Sequence, residues 1–282
     1  MRSRNPNYNV LVPPMKPSIK LPQYNGKNFP AINLQYRAYE AQDLYNRVSQ
    51  LFQKPDFEIS VGQTMAKSAF IKLYERCKED FNDHGTHIGW LKSQLESFMH
   101  LLDEFFFCKA LTRKDNPLVR RLYVFKQRQD ATPRWSYHPE RIWRGRIKYL
   151  WDKSKPICEI ALIAVDQGCP RALKGLIVTL VHELVHAYIR IFCSHKPSDN
   201  IFLTDHGLLW NNLFGLIATT MRDWHEDLWD FGGSDYRWGH RGKLPQPFQP
   251  SWDKADGLKH VEIQHGAIHK LDGGRGHRSK EP

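Results

Sequence analysis

The chain has 282 residues, of which 41% are hydrophobic and 12% aromatic, with a formal net charge of +11. That length and apolar content support a sizeable packed core and exclude a disordered chain, while the positive balance points to an acidic partner such as nucleic acid. The five cysteines (Cys77, Cys108, Cys158, Cys169, Cys193) show no C-x-x-C spacing, which argues against a zinc ribbon and a disulfide framework and favours a reducing compartment.

Residues 1–30 hold many prolines and asparagines, five basic residues and no acidic ones, and read as a disordered basic arm. No apolar leader follows the basic start, and there is no run of about eighteen apolar residues. A nuclear or cytoplasmic location, away from membranes, is therefore expected.

Residues 31–85 read as a helical extension. Asn33 to Leu51 places Leu34, Tyr36, Tyr39, Leu44, Tyr45, Val48 and Leu51 at helical spacing. A second helix is expected over about Val61 to Phe81, closed by Asn82-Asp83-His84-Gly85. A third runs from about Thr86 to Phe107, with Leu91, Leu95, Phe98, Met99, Leu102, Phe105 and Phe106 on its core side. His84 and His87, three apart, read as helix-flanking or capping residues rather than ligands.

The period then shortens. Leu122–Phe125, Arg146–Trp151 and Cys158–Val165 read as strands, with loop over residues 132–139. Residues 112–148 carry eleven Lys or Arg against three Asp or Glu. Charged runs of this kind are usually a solvated surface. Interleaved with Trp135, Tyr137 and Trp143, however, basic side chains including Arg141, Arg144 and Arg146 also suit single-stranded nucleic acid, where bases stack on rings.

The segment Leu180-Val181-His182-Glu183-Leu184-Val185-His186-Ala187-Tyr188 carries the H-E-x-x-H pattern. On a helix, His182 and His186 lie one turn apart on one face, as two imidazoles sharing a Zn²⁺ must. Glu183 stands off that line, within reach of a water beside the ion, and a carboxylate there can act as general base. Leu173, Leu176, Ile177, Leu180, Leu184 and Ile191 predict a helix with one buried side, and Pro170 precedes it where a helix start tolerates proline. A loop follows over residues 194–200. Next comes a second amphipathic helix with Leu209, Leu213, Ile217 and Met221 every fourth residue, capped by Thr204 or Asp205. Residues 231–282 read as a mobile tail with scattered histidines.

A catalytic zinc site takes three protein ligands and leaves a place for water. Metzincins need Gly and a third His within six residues of the motif, and Ile189 and Phe192 stand there instead. His195 falls on the wrong face of a continued helix, and Glu226 lacks the usual helical ligand motif. His206, at the start of the next helix, is the best placed.

His182-Glu183-Leu184-Val185-His186-Ala187-Tyr188 followed about twenty residues later by His206-Gly207-Leu208-Leu209-Trp210 resembles the SprT-like metalloprotease domain. Leu101–Phe107 is similar to that family's preceding helix, and the resemblance spans about residues 90–225. It implies His182, His186 and His206 as zinc ligands and Glu183 as general base. It further implies hydrolysis of protein substrates, and for Spartan-type members cleavage of proteins crosslinked to DNA. The expected fold is α+β: a zincin-like domain over residues 86–230, with a small, mostly antiparallel sheet packed on helices and the site between the motif helix and an edge strand. The alternative is a basic nucleic-acid-binding protein with a structural or vestigial metal site.

Overall fold

The computed structural model describes residues 34–52, 59–85, 87–127, 143–152, 155–166, 168–194 and 208–233. They form an α+β arrangement of helices around a small sheet. The expected basic arm (residues 1–30), the residues after 233, and Trp135, Tyr137, Arg141, His195 and His206 lie outside the described residues.

Three helices come first: α1 (Ala41–Phe52), α2 (Val61–His84) and α3 (Ile88–Phe107). A capping box starts α2. The Ser60 side chain accepts from the Gln63 amide, and the Gln63 side chain accepts from the Ser60 amide. His87 caps α3 through Nδ1, which accepts from the Trp90 amide at 3.2 Å. The expected core side of α3 is buried as read, from Leu91 to Phe106.

The first helix begins at Ala41 rather than Asn33. Arg37 takes a left-handed backbone (φ 52°), and residues 37–39 turn their amides onto the last carbonyls of a later helix. Arg37 N donates to Ile191 O at 2.9 Å, and Ala38 N and Tyr39 N donate to Phe192 O at 3.1 and 3.2 Å. Carbonyls at a helix end have no partner within the helix, so this segment satisfies them.

The sheet has the order β1-β3-β2, from β1 (Val119–Phe125), β2 (Gly145–Asp152) and β3 (Lys155–Ile163). β2 pairs antiparallel with β3, and β1 pairs with β3 in parallel. The expected strand over 158–165 breaks at Ala164. Val165–Asp166 (β4) and Cys169–Pro170 (β5) then form a separate antiparallel ladder, so Pro170 sits in a strand rather than at a helix start.

Helix α4 (Leu173–Phe192) carries the H-E-x-x-H residues. The sequence predicts one buried side, but every residue except Lys174 and Arg190 is buried. It contacts α1, α2, α3 and α5 (Leu208–Arg222) as well as β2 and β3. A helix apolar all round is one enclosed on all sides. Its length and composition would also suit a membrane span, and enclosure in the fold accounts for them here. One hydrophobic cluster runs from Leu34 through α1–α5 to Phe231. Trp224 joins its parts, with ring centroids 5.1, 4.7 and 5.4 Å from Phe70, Phe105 and Phe106.

Candidate metal centre

Two turns into α4, His182 and His186 face each other, with their Nε2 atoms 3.2 Å apart. Two ligands at the usual zinc–nitrogen distance on a tetrahedral ion stand about 3.3 Å apart, so the spacing of the pair matches that of two zinc ligands. The same spacing admits one N–H···N hydrogen bond in the metal-free protein, with the tautomers set accordingly. Both rings are nearly buried. Helix α5 covers them: the Trp210 ring lies 4.6 Å from His182 and 5.4 Å from His186, stacked on Phe214 at 5.0 Å. An aromatic wall of this kind lowers the local dielectric and limits the orientations open to the imidazoles.

Glu183 is also buried, and its carboxylate lies against the first residue of β2. A Cβ on Gly145 would stand 2.7 Å from Glu183 Oε1 and 2.4 Å from Thr179 Cγ2. Glycine at this strand position therefore lets the backbone approach the helix. Arg171 fixes the approach. Its Nη2 donates to Thr179 Oγ1 at 2.6 Å and to Gly175 O at 2.7 Å, and its Nη1 donates to Ile163 O at 3.1 Å. Thr179 Oγ1 in turn donates to Gly175 O at 3.0 Å. Helix and sheet end are thus tied together by one guanidinium. Farther along β2, the Tyr149 hydroxyl donates to His186 O at 2.8 Å.

Among the described residues, no group of three His, Cys, Asp or Glu side chains is close enough to hold a metal. Glu226, weighed as a third ligand, is exposed on a short 3-10 helix (Glu226–Leu228). The next residue, Asp227, takes Lys174 Nζ on its carbonyl at 3.3 Å. Lys174 precedes His182 by eight residues, about 12 Å of helix. Tyr188 points away from the histidines, into the core, with its ring 4.8 Å from Phe107 and 5.4 Å from Phe192.

The described members of the basic stretch do not share one role. Arg144 Nε donates to Asp166 Oδ2 at 2.7 Å in a half-buried ion pair. Trp143 packs with Tyr123 and Phe125 against buried Ala161, on the face of the sheet away from the main core. Arg146 lies on that same face, opposite Ala161 in the β2–β3 register.

Gly145, Tyr149, Thr179 and Arg171 were not singled out from the sequence. An isolated glycine opening a strand pattern is a recognised sign of close backbone approach, and Gly145 carried it. The others lie outside any motif. No family model, curated protein or solved structure matches the chain.

Proposed function

We propose that the protein is a zinc-dependent metallopeptidase acting on protein substrates, with His182 and His186 as two of the metal ligands, His206 as the third, and Glu183 as the general base. The observation that carries this reading is the 3.2 Å separation of the two imidazole nitrogens on adjacent turns of α4. The Glu183 carboxylate, one residue along, is buried beside the pair and is of the right type for a general base.

A bound zinc ion would supply Lewis acidity, which acidifies water and polarises a carbonyl. The protein's own residues supply the rest. The Glu183 carboxylate accepts a proton from the attacking water and returns it to the departing amine. Gly145 and Thr179 confine that carboxylate, and the Trp210–Phe214 wall restricts water around the imidazoles. The resemblance to the SprT-like domain supports protein rather than small peptide substrates. The net charge of +11 supports association with DNA, single-stranded rather than duplex if Trp135 and Tyr137 provide stacking.

The test is Glu183→Gln, which keeps size and most hydrogen bonding. The variant should fold and hold zinc as the parent does, and lose proteolysis by roughly 10²–10⁴-fold. Turnover near the parent's would remove Glu183 from the mechanism.

A further inference from the structure

Tyr149 of β2 touches α4 with both its hydroxyl and its ring. Its hydroxyl donates to His186 O at 2.8 Å. The guanidinium of Arg190, one turn on, lies over its ring at 4.8 Å from the centroid. Directly across the antiparallel ladder stands Cys158, fully buried and next to the same side chain. A phenol has one proton, and Tyr149 gives it to the carbonyl. Burial pushes both groups' pKa values up.

The hydroxyl is not there to satisfy an orphan. His186 lies inside α4, where its carbonyl already serves the amide four residues on. A second hydrogen bond on a satisfied carbonyl fixes position rather than filling a backbone need. What it fixes is the rotation of α4 against β2 at the turn where His186 meets His182.

We propose that Tyr149 is a positioning residue for the candidate metal centre: its hydroxyl, backed by Cys158, holds the His186 turn of α4 against β2 so that the two imidazoles converge. The proposal rests on the zinc reading above for its consequence, and on the helix–strand contact alone for its structural content. Groups that orient metal ligands typically change metal affinity by roughly 10- to 100-fold when removed.

The experiment uses the full chain. Tyr149→Phe keeps the ring and its contact with Arg190 and removes only the hydroxyl. Zinc affinity is measured by competition with a chromophoric chelator, the cobalt-substituted protein is examined by its visible absorption, and the metal-free protein by hydrogen exchange along α4. Expected are a zinc affinity lower by about tenfold, a shifted cobalt spectrum, and faster exchange confined to the amides around His186 and Arg190. Cys158→Ala, which leaves space behind the phenol, should move the same readouts less, and Cys158→Ser, which restores most of the volume, should return them toward the parent. If Tyr149→Phe does not fold, the Cys158 pair carries the test. A parent that binds no zinc would end the metal reading, while the exchange data would still decide whether Tyr149 holds the turn. Parent-like exchange in Tyr149→Phe and Cys158→Ala overturns the proposal, as does parent-like zinc affinity with an unchanged cobalt spectrum in a parent that binds zinc.

Discussion

Replacing Gly145 by alanine adds one methyl group at the tightest point between β2 and α4. The new Cβ would lie 2.4 Å from Thr179 Cγ2, 2.7 Å from Glu183 Oε1 and 3.2 Å from Glu183 Cγ. The first of these is about 1 Å short of ordinary contact, too much for side-chain vibration to absorb. Thr179 cannot easily rotate away, because its hydroxyl donates to Gly175 O and accepts from Arg171. β2 cannot easily lift, because it is in register with β3 from Gly145 to Asp152. The Glu183 side chain meets the new methyl next and should be displaced. Overpacking of this kind costs about 1–3 kcal/mol. For a chain of this size that lowers Tm by roughly 2–12 °C. The assay is thermal unfolding beside proteolysis and zinc content. Gly145→Ala should keep its zinc, lose stability in that range, and lose most of its turnover. Thr179→Ser removes Cγ2 but keeps the hydroxyl. The double variant should therefore recover part of the lost stability, a coupling of about 0.5 kcal/mol or more. A Gly145→Ala protein with parent Tm and parent turnover would refute the close approach and the confinement of Glu183 that follows from it.

Two further outcomes are expected. Asp103 is fully buried and accepts from Leu111 N, Thr112 N and Thr112 Oγ1, and burial outweighs those donors to push its pKa up to about 6. The folded state therefore holds this proton above the pH at which the unfolded chain releases it. Stability should fall by up to about 3 kcal/mol as pH rises from about 4 to about 6, then level off. Denaturant unfolding across that range should show the slope in the parent and lose it in Asp103→Asn, and parallel profiles would refute the assignment. In titrations with single-stranded and duplex DNA at low and moderate salt, affinity should fall steeply with salt. Arg141→Ala with Arg146→Ala should weaken binding at constant zinc content, whereas Arg144→Ala should chiefly lower Tm by breaking the ion pair to Asp166. No binding at low salt would leave the basic stretch as solvated surface.

The helices could be read from the sequence wherever one buried face imposed a period. In α3 the residues from Leu91 to Phe106 fall where their spacing put them. The reading weakened where the decisive partner is distant in sequence. Residues 34–39 have helical spacing, yet the amides of Arg37, Ala38 and Tyr39 go to Ile191 and Phe192, whose carbonyls would otherwise lack partners. The parallel pairing of β1 with β3 depends on how the chain returns through residues between them, which alternation cannot encode. Asp103 sits in an apolar run and looks like an ordinary helix acid. Its burial depends on Cys108 and Lys109 taking left-handed backbone, which brings Leu111 and Thr112 back to it. At the site, the spacing of His182 and His186 was sufficient because a helix fixes it. Tyr149 and Arg171 were not legible, since each acts from another element and neither belongs to a local pattern; Gly145 carried a sign of close approach but not of what it approaches.

The account stands most directly on whether the α4 pair holds zinc together with His206. Metal analysis of the purified parent, His186→Ala and His206→Ala proteins measures this, with circular dichroism confirming that each is folded. The account predicts about one zinc per parent chain and little in either variant. A folded parent without zinc, or a His186→Ala protein that retains the full amount, would contradict it.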